Sequence, residues 1–317
     1  MKHIGKSYDK VDAKGILSGK PSYTGDFVPK DALIIKVLRS PHAQARIKSI
    51  DTSKAKLIPG VEAIFTYEDV PNTRFTLAGQ TYPEPSAYDA LILDPVVRYV
   101  GDEVALIVAK DEATALKAMP LIKVEYDVQK PVLDLRTAMD HETVVHPEDD
   151  ILNHIPVGQD YKRNICVSYH KRVGDIEGEL AKCDYVVEGT YFDQATRQSA
   201  MEPFQSFGYI DHLGRIVIVS STQIVFHVRR HIARALGIPA SKIRVIKPRI
   251  GGGFGSKQTA CTELMTAFVT WKLQKPCYLL YDRTEAQTCS TTRHAREWYI
   301  RVGATKDGII QVIDMDS

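Results

Sequence analysis

Cysteine is scarce in this chain, and its spacing excludes as much as its number does. The 317 residues hold five, Cys166, Cys183, Cys261, Cys277 and Cys289, with no Cys-x-x-Cys pair. Such spacing cannot build an iron–sulfur centre of the usual kind, so any electron relay must sit on another polypeptide. An odd, scattered set of thiols reads as reduced residues of a cytoplasmic protein, not as a disulfide framework. No apolar run approaches a membrane span. The first residues, Met1-Lys2-His3-Ile4-Gly5-Lys6-Ser7, carry no apolar core of a signal peptide. Excess charge is missing too: 41 basic against 39 acidic residues leave a net of +2. No general pull toward nucleic acid or an anionic membrane is expected.

What is present is ordinary in bulk and specific in pattern. Apolar residues make up 44% and charged residues 25% of the chain, the balance of a globular protein long enough for two cored domains. Period-two or continuous apolar stretches predict strands at 32–39, 45–51, 61–65, 102–109 and 121–126, with a short helix at 52–57. Asp111 is placed to cap a helix running to about Ala118. These form one α/β domain over residues 1–127. Residues 128–162, rich in Pro, Asp, Glu and His, read as a linker. A second domain is expected over 163–317. It has a short helix from about 173 to 183, strands at 185–192, 204–210 and 215–221, and helices at about Val225–Leu236 and Thr259–Leu273. A final hairpin, 297–303 with 309–315, turns at Lys306-Asp307-Gly308. Its open edge suggests a further segment or a partner. The fold class is α+β.

The most informative run is Gly251-Gly252-Gly253-Phe254-Gly255-Ser256-Lys257-Gln258, with four glycines in five positions. A β-rich stretch precedes it and a helical pattern follows, a layout that presents N–H donors to anionic groups. The common templates fail. A phosphate-binding P-loop needs Gly-Lys-Ser/Thr, and here Lys257 stands between Ser256 and Gln258. The dinucleotide pattern Gly-x-Gly-x-x-Gly ends on Ser256 or Gln258, depending on its start. The strand at 216–221 delivers Ser220-Ser221-Thr222-Gln223 to a helix start of the same layout. Two such junctions side by side would converge on one pocket, with Gln223 projecting from the first helical turn.

The ordered set Ser221-Thr222-Gln223, Leu236-Gly237-Ile238-Pro239, the glycine run, Thr292-Arg293-His294 and Gly303–Gly308 resembles the molybdenum-binding subunit of xanthine dehydrogenases. Arg39-Ser40-Pro41-His42-Ala43 and Tyr99-Val100-Gly101-Asp102 are similar to that family's N-terminal hammerhead domain. The resemblance covers nearly the whole chain. It implies a hammerhead-like α/β domain followed by a partial mixed α/β molybdopterin-binding domain. It also implies oxidative hydroxylation of purines, in which a metal-bound hydroxide attacks an electron-poor ring carbon and hydride passes to a sulfido ligand. Under it the cofactor is molybdenum–molybdopterin, the cytosine dinucleotide form being one option, and [2Fe–2S] and FAD belong to partner subunits.

The same resemblance assigns residues. Gln223, Gly252, Gly253, Phe254 and Gly255 contact the cofactor, with Gln223 and Phe254 nearest the metal group and no protein atom ligating it directly. Gln258 stands where some members carry a purine-contacting glutamate. The family's second cofactor loop and its glutamate general base have no match up to Ser317. The expectation is therefore the N-terminal part of a subunit, with no catalytic base of its own and a C-terminal molybdopterin segment as partner. Hydroxylation of another N-heterocycle or an aldehyde, and a catalytically silent assembly module, are the alternatives.

Other candidates have plainer readings. His227 and His231 are four apart, but Val228 stands where a zinc protease needs glutamate, so a polar helix face is expected. Glu202 reads as structural, Asp102 as a turn or cap, and Arg293-His294 as ordering its loop. The cluster Arg229, Arg230, Arg234, Lys242, Arg244, Lys247 and Arg249 surrounds the glycine run in sequence and would suit an anionic cofactor.

Overall fold

The computed structural model describes residues 3–20, 22–77 and 81–317. In chain order its strands are β1 (Leu33–Arg39), β2 (Ala45–Asp51), β3 (Val61–Phe65), β4 (Val96–Val97), β5 (Glu103–Ala109), β6 (Lys123–Val128), β7 (Tyr185–Asp193), β8 (Gln205–Ile210), β9 (Ile216–Ser220), β10 (Ile243–Ile246), β11 (Cys277–Leu280), β12 (Arg296–Ala304) and β13 (Ile310–Asp316). The helices are α1 (Ala13–Leu17), α2 (Ser53–Lys56), α3 (Glu112–Ala118), α4 (Ile176–Leu180), α5 (Val225–Leu236), α6 (Glu263–Leu273) and α7 (Arg283–Thr288). The mixed α/β architecture is the expected one.

One seven-stranded sheet, ordered β10-β9-β8-β11-β1-β5-β3, organises the molecule. β5 is buried from Val104 to Ala109 because its apolar run packs on both faces. β11 pairs parallel with β1 and antiparallel with β8. The stretches 1–127 and 163–317 therefore share one sheet. Ile35, Ile218, Ile243, Val228, Ile232 and Phe268 meet in its principal core. The other face, with Phe207 and Val219, stays open over a cavity of about 610 Å³.

β9 and β10 run parallel in register, Ile216 beside Ile243 and Val219 beside Ile246. Both therefore release their chains at the same end, where open α/β sheets bind ligands. α5 follows β9, burying Val228, Ile232, Ala235 and Leu236. It stops at Gly237, whose left-handed φ of 64° lets its N–H reach the carbonyls of Ala233 and Arg234.

α6 begins later than its periodicity suggests, at Glu263 instead of about Thr259. A single 3-10 turn, Ser256–Gln258, intervenes, and Thr259 is extended. Glu263 Oε2 accepts the N–H groups of Cys261 and Thr262 at 2.9 and 3.1 Å, which holds the chain just ahead of the helix. The glycine run thus does not sit on a helix N-terminus.

Segment 128–162 contains no α-helix or strand beyond the last residue of β6. It is pinned to the first stretch by the pairing of Tyr88 with Leu152 and by Arg98 on the Val145 carbonyl at 3.1 Å. Two three-stranded sheets, β13-β12-β7 and β4-β2-β6, complete the fold. β7 is exposed along almost its whole length. No helix among the described residues is long and apolar enough to cross a membrane.

Candidate functional site

β9 ends on a bed of buried hydroxyls. Ser220 donates to Glu263 Oε1 at 2.5 Å, and Thr222 Oγ1 accepts the N–H of Ile224 at 3.1 Å. Burial pushes the Glu263 carboxyl up, and the hydrogen bond from Ser220 works against that rise. Because α5 starts only at Val225, Gln223 lies in the turn before the helix and not in its first turn. Its side chain is exposed, while its N–H donates to the Lys257 carbonyl at 2.9 Å.

The glycine run folds back toward that residue. Gly252, Phe254 and Gly255 take φ values of 100°, 51° and 90°. Glycine tolerates this region, whereas for a bulky side chain it is an outlier. Phe254 holds it with a ring that is 77% exposed. Ser256 closes the turn, its N–H and hydroxyl both donating to the Gly253 carbonyl at 2.9 and 2.7 Å. Among the described residues, the N–H groups of Gly252, Gly253, Phe254 and Gly255 have no acceptor. Successive unpaired donors on a stretch with three left-handed residues are the kind of backbone that can receive an anionic or oxo group.

The expected residues do come together. A Cβ built on Gly253 would fall 2.5 Å from Oε1 of Gln223, and one on Gly255 would fall 4.0 Å from Oε1 of Gln258. Gln223 thus packs over the buried Gly253, and Gln258 lies beside Gly255. The cradle is open: neither the 610 Å³ cavity nor a second one of about 530 Å³ around Asp89, Asp102 and Tyr281 includes these residues.

Four of the seven residues of the basic cluster are engaged away from the cradle. Arg229 donates to the Ala240 carbonyl at 2.8 Å, Arg230 pairs with Glu84 at 2.9 Å, Arg234 caps the Arg74 carbonyl at 2.7 Å, and Arg249 pairs with Asp12. His227, Arg230 and His231 do form a polar stripe on α5, but it is turned inward onto Glu84. His231 is 4% exposed and, with His227, approaches the buried Glu84 at 3.9 and 3.8 Å. No group of three potential metal ligands occurs among the described residues. Asp102 does hold a turn, accepting the N–H groups of Arg98 and Glu103 at 2.8 and 3.0 Å. Arg293 pairs through its backbone with Thr196.

Sequence reasoning passed over the support beneath the loop. Lys257, 2% exposed, ion-pairs with Glu202 at 2.8 Å, and the same carboxylate oxygen accepts the Gly251 N–H at 2.7 Å. The only sequence signal is a lysine and a glutamate 55 positions apart, which no local pattern links.

Comparison with known proteins fits this geometry. Residues 157–317 match the family described as molybdopterin cofactor-binding domain. Residues 18–130 match the aldehyde oxidase and xanthine dehydrogenase a/b hammerhead domain. A probable hypoxanthine oxidase of Escherichia coli K12 is 38% identical over 337 residues, spanning 99% of this chain and 35% of that protein. The nicotinate dehydrogenase large molybdopterin subunit of Eubacterium barkeri is 30% identical over 315 residues, spanning 99% of this chain and 69% of that subunit. Among solved structures, the aldehyde oxidoreductase of Desulfovibrio gigas superposes with a TM-score of 0.84 at 25% identity, over 98% of this chain and 34% of that one. Quinoline 2-oxidoreductase of Pseudomonas putida 86 gives 0.83 at 26% identity, over 98% and 39%. The chain thus spans about a third of the length of the Escherichia coli relative, 35%. It belongs to the aldehyde oxidase and xanthine dehydrogenase family of molybdenum hydroxylases, with the hammerhead domain and the molybdopterin cofactor-binding domain both represented.

Proposed function

We propose that this chain forms one wall of a molybdopterin site in an enzyme that hydroxylates a purine or a closely related N-heterocycle. The observation that carries the reading is the row of unpaired N–H groups at Gly252, Gly253, Phe254 and Gly255, with the Gln223 amide against Gly253. Donors fixed before a ligand arrives stabilise a charged oxygen without reorganising. The Gln223 amide adds donor capacity from the neighbouring strand end. The exposed Phe254 ring covers the cradle and keeps water from the bound group. Gln258, beside Gly255, offers both a donor and an acceptor to a heterocycle edge. When bound, the molybdenum cofactor supplies the two-electron and oxygen-transfer chemistry that the side chains here lack.

The purine assignment draws on relatives named for hypoxanthine and nicotinate, both nitrogen heteroaromatics. The general base, the second cofactor loop, the [2Fe–2S] and FAD carriers and the choice of pterin nucleotide belong, in this reading, to the rest of the complex. Five free thiols accord with the cytoplasmic setting that the reading includes. A second reading, an assembly module without turnover of its own, draws on the exposed Val186, Val187, Tyr191 and Phe192 of β7. Material purified with its native partners separates the two. Stoichiometric molybdenum and pterin with hypoxanthine-dependent dye reduction is the expected result. Absence of both, with partners present, would sink the first reading.

A further inference from the structure

The glycine run is tied at its two ends to a single side chain. Glu202 Oε2 accepts the Gly251 N–H at 2.7 Å at the start of the run and the Lys257 ammonium at 2.8 Å just past its end. The backbone repeats the first tie, since the Glu202 N–H donates to the Gly251 carbonyl at 3.0 Å. The approach is so close that a Cβ on Gly251 would fall 2.6 Å from the Glu202 Cβ. The carboxylate is itself held: Oε1 accepts from Gln205 Nε2 at 2.8 Å, and Gln205 Oε1 accepts the Tyr278 hydroxyl at 2.7 Å. Gln205 lies on β8 and Tyr278 on β11, adjacent strands in the middle of the large sheet. With 2% exposure for Lys257 and 9% for Glu202, little water competes for these bonds.

We infer that Glu202 is a positioning residue that sets the shape of the 252–255 cradle by fixing Gly251 and Lys257 to the rigid β8–β11 pair. The inference rests on the reading of that cradle as a cofactor wall. Between the two ties lie the residues with unpaired N–H groups, and Gln223 is drawn in by its own bond to the Lys257 carbonyl. Loss of the carboxylate releases the Lys257 end and leaves the Gly251 end on the single backbone bond from the Glu202 N–H. An ion pair kept only for fold stability would need just one of these contacts.

The test uses the native complex carrying Glu202→Gln, Lys257→Met, or both, followed by amide hydrogen exchange and by pterin and molybdenum content. In either single variant the hydrogen-bonded amides of Gly251, Ser256, Gln258 and Gln223 should exchange about tenfold faster or more, with α6 and β5 unchanged. Cofactor content should fall in parallel. The double variant no longer buries an unpaired ammonium, so its thermal stability should return toward wild type while its loop exchange stays fast and its cofactor content low. It also keeps the test decisive if a single variant fails to fold. A double variant that regains stability, slow exchange and full cofactor together would overturn the inference and leave Glu202 a plain ion-pair partner. If the wild-type complex holds no pterin, the cofactor reading fails instead. The clamp is then judged on exchange alone, and unaltered exchange at those amides would overturn it.

Discussion

The side chain of Gln223 occupies the space that a Cβ on Gly253 would need, with its Oε1 and Cδ at 2.5 and 2.9 Å from that position. Gly253 has no positive φ, so alanine fits its backbone. The clash falls on the far end of an exposed, flexible side chain, which can swing away at little cost. Gly253→Ala should therefore lower stability by less than about 1 kcal/mol. It should also cut kcat/KM for a purine by roughly 10² through displacement of the amide. Urea midpoints and dye-reduction kinetics on one preparation check both halves. Unchanged turnover would detach Gln223 from the chemistry.

Arg39 should matter far more than its peripheral place in the sequence suggests. Its guanidinium meets Glu103 at 2.9 Å and Glu285 at 3.2 Å, and its CZ lies 4.5 Å from the centroid of the Tyr281 ring. These contacts join β1, β5 and α7, drawn from both halves of the chain. Arg39→Met removes the guanidinium from two mostly buried carboxylates, leaving Glu285 with Lys36 and Glu103 with the Tyr99 and Tyr281 hydroxyls, and should cost about 2–3 kcal/mol. Lys48→Ala, at an exposed 3.5 Å pair with Asp127, should cost under about 0.5 kcal/mol. Equal denaturation midpoints for the two variants would contradict the assignment.

Much of this architecture is legible locally, and its failures share one cause. The β5 run, the Asp111 cap and the Gly237 stop depend on neighbours within a few residues, so pattern reading finds them. The Asp111 side chain does accept the Thr114 N–H at 2.7 Å. Glu263, the first residue of α6, is held from outside its neighbourhood by Ser220, 43 positions away. Arg230, Arg234 and Arg249 of the basic cluster are taken up by distant acceptors, Glu84, the Arg74 carbonyl and Asp12. The glycine run announces itself, yet the carboxylate beneath it does not. A conformational signature lives in consecutive residues, and a buried ion pair lives in the fold.

Acid should probe the 128–162 segment selectively. Burial alone would raise the Glu148 carboxyl, but the approach of His146 at 3.5 Å and the charge of Arg98 outweigh it and bring it from 4.5 to about 2. Arg74 also approaches at 3.9 Å. A depressed folded value means that the stabilising contribution is fully present above the unfolded value near 4.5 and is lost as pH falls through about 2. Glu148→Gln should thus be less stable than wild type near neutrality, and the gap should close across that acid window. A gap that stays constant to the acid end would refute the linkage.

The thiols should separate cleanly by reactivity. Cys166 is exposed and Cys277 buried. Burial pushes the Cys277 thiol up to about 12; Cys261 is likewise raised to about 12, by burial and then by the charge of Glu263. Only the thiolate reacts. Iodoacetamide at mildly alkaline pH should label Cys166 in the native protein and reach Cys261 and Cys277 only in denaturant. Peptide mass mapping reads the order, and early labelling of Cys277 would show that β11 is not packed as described.

Phe254 gives the sharpest separation of function from stability. Its φ of 51° is strained for an aromatic residue, and its ring is 77% exposed. A strained residue that buries little contributes almost nothing to folding, and such strain collects where a site requires it. Phe254→Gly relieves a strain of about 1–3 kcal/mol and adds unfolded-state freedom of opposite sign and about 1 kcal/mol. The denaturation midpoint should stay near that of wild type or rise slightly. Pterin content of the native complex should fall, because the cradle loses its cover while keeping its N–H groups. A large loss of stability would mean that the ring packs against the body of the protein, and retention of full cofactor would mean that the loop needs no cover.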